Sequence, residues 1–330
     1  MPVRFLNVRE KCVWSAKPVS SAIASLLPAG PGLEVFERVI VWVHALLILS
    51  FLVYIPYTKH LHTFVVWFNV FFERTRARGR LEPLVFDDPA VPEDSIRFGM
   101  GTIADMTWKQ MVDGMTCTEC GRCQDACPAF ATGKSLNPKL VVMGLRDQLY
   151  REGHGLLAAA DGAATFAGSP LVPNAVSDES VWDCVTCGAC VEACPVLIEH
   201  VDKIVGLRRN LVLEESRFPA ELTGAFRGME GQGNPWGQPA STRTDWTRGL
   251  PFEVPTVASL AAEPGGLDAL EVLYWVGCAA AFDERNKRVA RAFATCLSAA
   301  GVRFAILGQE ESCTGDPARR MGNDYVFQIL

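Results

Sequence analysis

The chain has 330 residues, a formal net charge of −6, 49% hydrophobic residues and 21% charged residues. That length allows two or three domains, each with its own core, and the composition excludes disordered, collagen-like and coiled-coil chains. The mildly acidic balance argues against a general nucleic-acid binder, so no nucleic acid is expected as a partner.

After an N-terminal segment (residues 1–33) comes an apolar run of 19 residues, 39–57, with no Asp, Glu, Lys or Arg. As a helix it would rise about 28 Å, close to one hydrocarbon core. Trp42 lies near one end and Tyr54 and Tyr57 near the other, where interface anchors belong. The plain alternative is a buried helix of a soluble domain. A second apolar run, 64–72, follows at once and disfavours it. With nine residues that run is too short to span, so it either continues the first helix or lies at the interface. Arg74, Arg76, Arg78 and Arg80 come next and place this end in the cytoplasm by the positive-inside rule. The N-terminal flank carries Arg4, Arg9, Lys11, Lys17 and Arg38, so the rule does not orient that side. A single span of this kind suits the last piece of a larger bundle.

His44 lies inside the first run, and His60 and His62 stand beyond its far end. An ionisable residue within a span points to function, and neutral imidazole ligates haem. His44 and His60 are therefore candidate ligands of haem b. On one helix their 16-residue separation is about 24 Å, so each would hold a separate haem. The plain alternative makes His60 and His62 interfacial residues and bonds His44 to a neighbouring helix.

Twelve cysteines are many for this length, and eight fall in two runs. Cys117, Cys120, Cys123 and Cys127 precede Pro128, and Cys184, Cys187, Cys190 and Cys194 precede Pro195. Both runs read C-x2-C-x2-C-x3-C-P, the bacterial ferredoxin pattern for a [4Fe–4S] cluster. Three thiolates at this spacing wrap one cubane, and the fourth leaves toward the other. By that rule one cluster takes Cys117, Cys120, Cys123 and Cys194, and the other takes Cys184, Cys187, Cys190 and Cys127. Zinc sites use paired knuckles with a longer spacer, so zinc is disfavoured. Such thiols belong in a reducing compartment. The region between the runs has apolar positions at helical spacing over 138–149, and 198–215 also reads as a helix. The module is therefore expected to be all-helical.

Residues 224–266 hold eight glycines and five prolines, a linker composition. From there, 271–276 reads as a strand, 284–300 as an amphipathic helix with Gly301 at its end, and 302–307 as a second strand. A strand–helix–strand unit is right-handed and parallel, so both strands end at one sheet edge. Cys278 and Cys313 follow those ends and are expected to meet there. Cys296 reads as a core thiol of the helix, Cys12 has no partner pattern, and the chain ends in a helical pattern.

The paired runs resemble the small subunit of heterodisulfide reductase, and the helical module is similar to succinate dehydrogenase iron–sulfur subunits. The piece from Cys278 to Arg320 resembles the start of a cysteine-rich CCG domain. The span with Trp42, His44 and Lys59-His60-Leu61-His62 resembles the nitrate-reductase-gamma-like part of fused iron–sulfur oxidoreductases. Met229-Glu230, Asn234-Pro235-Trp236-Gly237 and the stretch from Glu311 to Arg320 also look like motifs of that family. The resemblance covers roughly residues 34 to 330. One departure matters: Thr314 stands where the CCG motif has its second cysteine. Cys278 and Cys313 are then half of a third [4Fe–4S] site, completed beyond Leu330. The resemblance implies a membrane oxidoreductase of the electron-transferring-flavoprotein:quinone oxidoreductase type.

The expected architecture is mainly α. A transmembrane and interfacial region (34–80) precedes an all-helical two-cluster ferredoxin module (81–223). A Gly/Pro-rich linker (224–268) then leads to a partial α/β, parallel βαβ, cysteine-rich domain (269–330). The expected function is electron transfer between a cytoplasmic donor, an electron-transferring flavoprotein, and the quinone pool. The protein would sit in the cytoplasmic membrane with the ferredoxin module facing the cytoplasm. The clusters would act as wire, and no catalytic residue is assigned, since no Ser/His/Asp or phosphate-loop signature occurs. The alternatives are a subunit of a heterodisulfide-reductase-like or glycolate-oxidase-like complex, and clusters that only hold the fold.

Overall fold

The computed structural model describes residues 30–77, 79–86, 97–162 and 165–330. Arg4, Arg9, Lys11, Cys12, Lys17 and Arg78 lie outside the described residues. The chain divides into two units, Met1–Leu61 and His62–Leu330.

In the first unit, helix α1 runs Pro31–Tyr54 and continues into a 3-10 turn, Ile55–Tyr57. Proline stands near the start of both, where its missing N–H costs nothing. The stretch Val35–Tyr57 is long and apolar enough to cross a membrane, and Trp42, Leu47 and Val53 are well exposed. Pro56 has no backbone N–H to give to a carbonyl one turn back, and the α-helix stops at Tyr54 and tightens into the 3-10 turn. The apolar run 64–72 therefore does not continue α1. It forms a separate helix α2, His62–Phe71, in the second unit. His60 is likewise off the helix that carries His44, in the turn Lys59–Leu61, with its ring 5.9 Å from that of Phe51. A 24 Å spacing along one helix does not apply to this pair.

The second unit is built on helices. Helix α3, Trp108–Thr116, opens with a capping box in which Thr107 and Gln110 satisfy each other's amides. Helix α4, Pro138–Ala160, is capped by Asn137, whose side chain accepts from Lys139 and Leu140 amides. Helix α5, His200–Arg209, runs on into a π-helical turn, Asn210–Glu214. Val141, Leu145 and Leu149 of α4 and Ile204 and Leu207 of α5 meet Met100, Ile103 and Leu171 in the main core.

The stretch expected as a linker is folded instead. Helix α6, Glu221–Gln232, buries Phe226 and Met229 beside Cys313. Trp246 is buried with Ala290, Ala294 and Ile306. The parallel unit is present: β1 (Val272–Leu273) pairs with β2 (Phe304–Ala305), joined through α7 (Gly277–Phe282) and α8 (Glu284–Ala299). Gly301 closes α8 at φ +71, a conformation in which glycine pays no Cβ penalty. Cys296 is exposed, so it is not a core thiol. Ala290 and Ala294 hold the core side of α8. The last helix, α9, is Asp324–Ile329.

Gly144 lies inside α4 against the 171–176 segment, where an added methyl group would overlap the Ala175 carbonyl oxygen. Helix propensity alone favours alanine by about 1 kcal/mol. Overlap of this kind costs about 1–3 kcal/mol, and the carbonyl is backbone that cannot swing away. Gly144→Ala is therefore expected to lower stability in chemical denaturation. An unchanged or raised midpoint would refute this close approach.

Candidate metal centre

The two cysteine runs share one backbone. Gly121 (φ +83) and Gly188 (φ +78) are left-handed and open the short helices Arg122–Asp125 and Ala189–Glu192. Two residues earlier, Glu119 (φ 57) and Thr186 (φ 53) are left-handed without being glycine. Each of these features recurs at the 67-residue offset of the sequence repeat. The turn aims amides at sulfur: the Thr186 amide donates to Cys184 Sγ at 3.3 Å, and the Glu119 amide bonds Cys117. The Ile198 amide donates to Cys194 Sγ at 3.4 Å.

The fourth cysteine of each run packs beside the first cysteine of the other. Cys194 is buried with Cys117, Val142, Val196 and Ile198. Cys127 is buried in the main core with Cys184 packed against it. Burial, then the neighbouring thiols Cys117 and Cys194, push Cys123 up to about 11. Burial, then Cys184 and Cys187 with Cys123 and Cys127 beyond them, push Cys190 up to about 12. Cys127, Cys184, Cys187 and Cys190 line one hollow, walled also by Leu136, Val141 and His200.

These features fit an iron–sulfur core. Burial pushes the Cys117, Cys123, Cys184 and Cys190 thiols up, and positive charge entering among them would favour their thiolates. Soft sulfur donors in an apolar pocket with N–H···S bonds suit such a core. Among the described residues no three His, Cys, Asp or Glu side chains close on a point as the ligands of a single ion would.

Cys278 and Cys313 come together at the end of the parallel unit. Cys278 gives a hydrogen bond to Cys313, which pushes the Cys278 thiol up and pulls the Cys313 thiol down. Arg243 Nη2 donates to Cys278 Sγ at 3.0 Å, and its Nη1 is 2.8 Å from Glu311 Oε1. Glu311 in turn accepts from the Gly277 amide at 2.8 Å and the Val276 amide at 3.1 Å. Arg243 and Glu311 are both buried. Sequence reasoning missed Arg243 because it lies in the glycine- and proline-rich stretch. The sequence signal that could have found it is a charged residue between Trp236 and Trp246, two large apolar side chains that imply packing.

His44 and His60 are exposed.

Comparison with known proteins agrees with this geometry. A 4Fe-4S dicluster domain matches residues 116–198, and a cysteine-rich domain matches 272–330. The chain is 38% identical to the probable iron-sulfur-binding oxidoreductase FadF of Bacillus subtilis, over 96% of this chain and 48% of that one. It is 38% identical to the EtfAB:quinone oxidoreductase of Syntrophomonas wolfei, over 89% of this chain and 42% of that one. It is 36% identical to a probable membrane-anchored ferredoxin of Chromohalobacter salexigens, over 82% of this chain and 41% of that one. The chain thus spans about half the length of the curated relatives it matches. No solved structure matches it. The chain is thus similar to iron–sulfur proteins over a dicluster domain and a cysteine-rich domain, and it carries one helix long and apolar enough to cross a membrane.

Replacing Arg243 by Met would leave Glu311 buried with only two amides against its charge. Breaking a buried pair on one side costs about 3–5 kcal/mol. Thermal unfolding of Arg243→Met should show a loss of about 3 kcal/mol, the low end of that range, because the amides remain. A loss below about 1 kcal/mol would mean that the pair is not desolvated.

Proposed function

We propose that this chain is the iron–sulfur portion of a membrane-bound oxidoreductase that carries electrons between a cytoplasmic donor and the quinone pool. The observation that carries this reading is the packing of Cys127 beside Cys184 and of Cys194 beside Cys117. Cys117, Cys120, Cys123 and Cys194 would hold one [4Fe–4S] cluster, and Cys184, Cys187, Cys190 and Cys127 the other. Each cluster, when bound, accepts and releases one electron without bond-making. The protein's own part is to supply thiolates, to aim the Thr186 and Ile198 amides at sulfur, and to exclude water with Leu136, Val141 and Val142.

The relative named EtfAB:quinone oxidoreductase supports an electron-transferring flavoprotein as donor and quinone as acceptor. The arginines after α2 support a cytoplasmic ferredoxin module over about 81–223, by the positive-inside rule. Cys278 and Cys313 would be half of a third cluster in the cysteine-rich domain from 269, with the other ligands beyond Leu330. His44 and His60 remain the candidates for haem b ligation. A second reading is an electron-transfer component of a heterodisulfide-reductase-like complex. It is supported by similarity to a dihydromethanophenazine:CoB–CoM heterodisulfide reductase component of Methanosarcina mazei, at 29% identity over 68% of this chain and 51% of that one.

Anaerobic purification should give about eight irons for the ferredoxin module. Cys127→Ser should disturb the EPR signal of the cluster held mainly by the second run and spare the first. About four irons, or the reverse EPR pattern, would overturn the crossed assignment. The protein should also stay with membranes through a carbonate wash and leave only with detergent. Release by carbonate alone would remove the spanning helix.

A further inference from the structure

Two buried cations outside the ligand set have no carboxylate of their own. Arg208 of α5 is fully buried. Its Nε and Nη2 donate to the Val181 carbonyl at 3.1 and 2.8 Å. Nη2 also donates to the Cys184 carbonyl at 2.6 Å, and Nη1 to the Arg320 carbonyl at 2.9 Å. All of these acceptors are neutral, and among the described residues no acid pairs with it. Arginine does not shed its proton in proteins, so the charge stays.

Beside the other quartet, Lys109 and Lys203 share one carboxylate. Lys109 Nζ lies 2.6 Å from Asp113 Oδ1, and Lys203 bonds Asp113 Oδ2. All three side chains are buried. The group is stitched to the first quartet. Asp113 stands one helical turn before Cys117 on α3 and accepts the Glu199 amide at 3.3 Å. Lys109 also donates to Asn69 Oδ1 of α2 at 2.9 Å, and Asn69 Nδ2 donates to the Val196 carbonyl, two residues past Cys194, at 2.8 Å. The nearby Glu199 is paired with Arg74 at 3.2 Å and adds no net charge. His200, which lines the second hollow, bonds the Ile198 carbonyl through Nδ1 at 2.9 Å. At the first quartet Arg146 also stands near Cys117, but it is paired with Glu119 at 2.8 Å and Asp147 at 2.9 Å, so the buried positive charges in excess are Arg208 and one lysine of the Lys109–Asp113–Lys203 group.

An unpaired charge in the interior is costly, and a structure that keeps two has anions near them. Four thiolates outweigh the charge of an iron–sulfur core, so a bound cluster is an anion and becomes more negative on reduction. A fixed cation close by favours the reduced state and raises the potential. We propose that Arg208 and the Lys109–Asp113–Lys203 group are the counter-charges of the two clusters, one each, and that they set the two reduction potentials. This rests on the ligand assignment proposed above.

EPR-monitored redox titration of the detergent-extracted full-length protein tests it. Arg208→Met should lower one of the two midpoints by at least tenfold in the reduction equilibrium, about 59 mV for one electron. Lys203→Met, which leaves a neutral Lys109–Asp113 pair, should lower the other. Arg208→Lys and Lys203→Arg keep the charge and should restore most of each shift. With iron retained, unmoved midpoints overturn the proposal, and so does an equal shift in the charge-conserving variants. If one Met variant loses its cluster, the other decides on the same criteria. If the unsubstituted protein holds no such clusters, the ligand assignment fails and takes this proposal with it.

Discussion

Two cysteine-bearing turns of one kind have to be brought together, with Cys117, Cys123, Cys127 and Cys194 buried and Cys120 and Cys187 left exposed, and most of the second unit follows from that requirement. Thiols packed this closely resist ionisation, and Cys123 and Cys190 show it most. Three ligands of each group come from a tight turn, which sequence spacing provides. The fourth has to come from elsewhere. On the crossed assignment proposed above, each thiol group depends on both halves of the repeat. Helices α4 and α5 fill the space between the runs, and their apolar faces form the walls that keep water from sulfur.

The same constraint explains the unusual backbone. A left-handed residue costs little when it is glycine, as at Gly121 and Gly188. Glu119 and Thr186 take that conformation without the glycine exemption. Strain of this sort persists only where surrounding contacts over-determine it. Here the return is an amide aimed at sulfur in each turn, at Cys117 and Cys184. The repeat of all four φ values at one offset indicates that the two turns solve one geometric problem in one way.

What was legible in the sequence had short-range causes. The C-x2-C-x2-C-x3-C-P spacing located the turns. The apolar run located α1, and the strand–helix–strand pattern placed Cys278 beside Cys313. What was not legible depended on packing between distant segments. Arg243 looked like a linker residue, because composition near it is rich in glycine and proline, yet it bridges Glu311 and Cys278. Cys296 looked like a core thiol, yet the core side of α8 belongs to alanines that let Trp246 approach. Asn69 sat in an apolar run and drew no attention, yet it is fully buried and ties α2 to the chain beyond Cys194. Periodicity reports which face of a helix is apolar, not which polar group on that face finds a partner 127 residues away.

The cysteine-rich portion is joined to the second thiol quartet by polar contacts as well as apolar ones. Arg320 Nη1 donates to Thr186 Oγ1 at 2.9 Å, inside the turn that carries Cys184 and Cys187. Arg208 reaches back from α5 to the Arg320 carbonyl, so the same two segments are bonded twice. Trp182, two residues before Cys184, packs both on the main core and on the cluster that contains Cys313. The Cys313 amide donates to the Gly233 carbonyl at 2.7 Å, which fixes the end of α6 to the same place. A proposed third site at Cys278 and Cys313 would thus follow the second quartet along a continuous packed path, while the first quartet faces α2 through Val66. The order first quartet, second quartet, cysteine pair is then built into the packing. An electron carrier needs such fixed, close neighbours, and here they come from side chains that bond across the domain boundary rather than from a flexible tether.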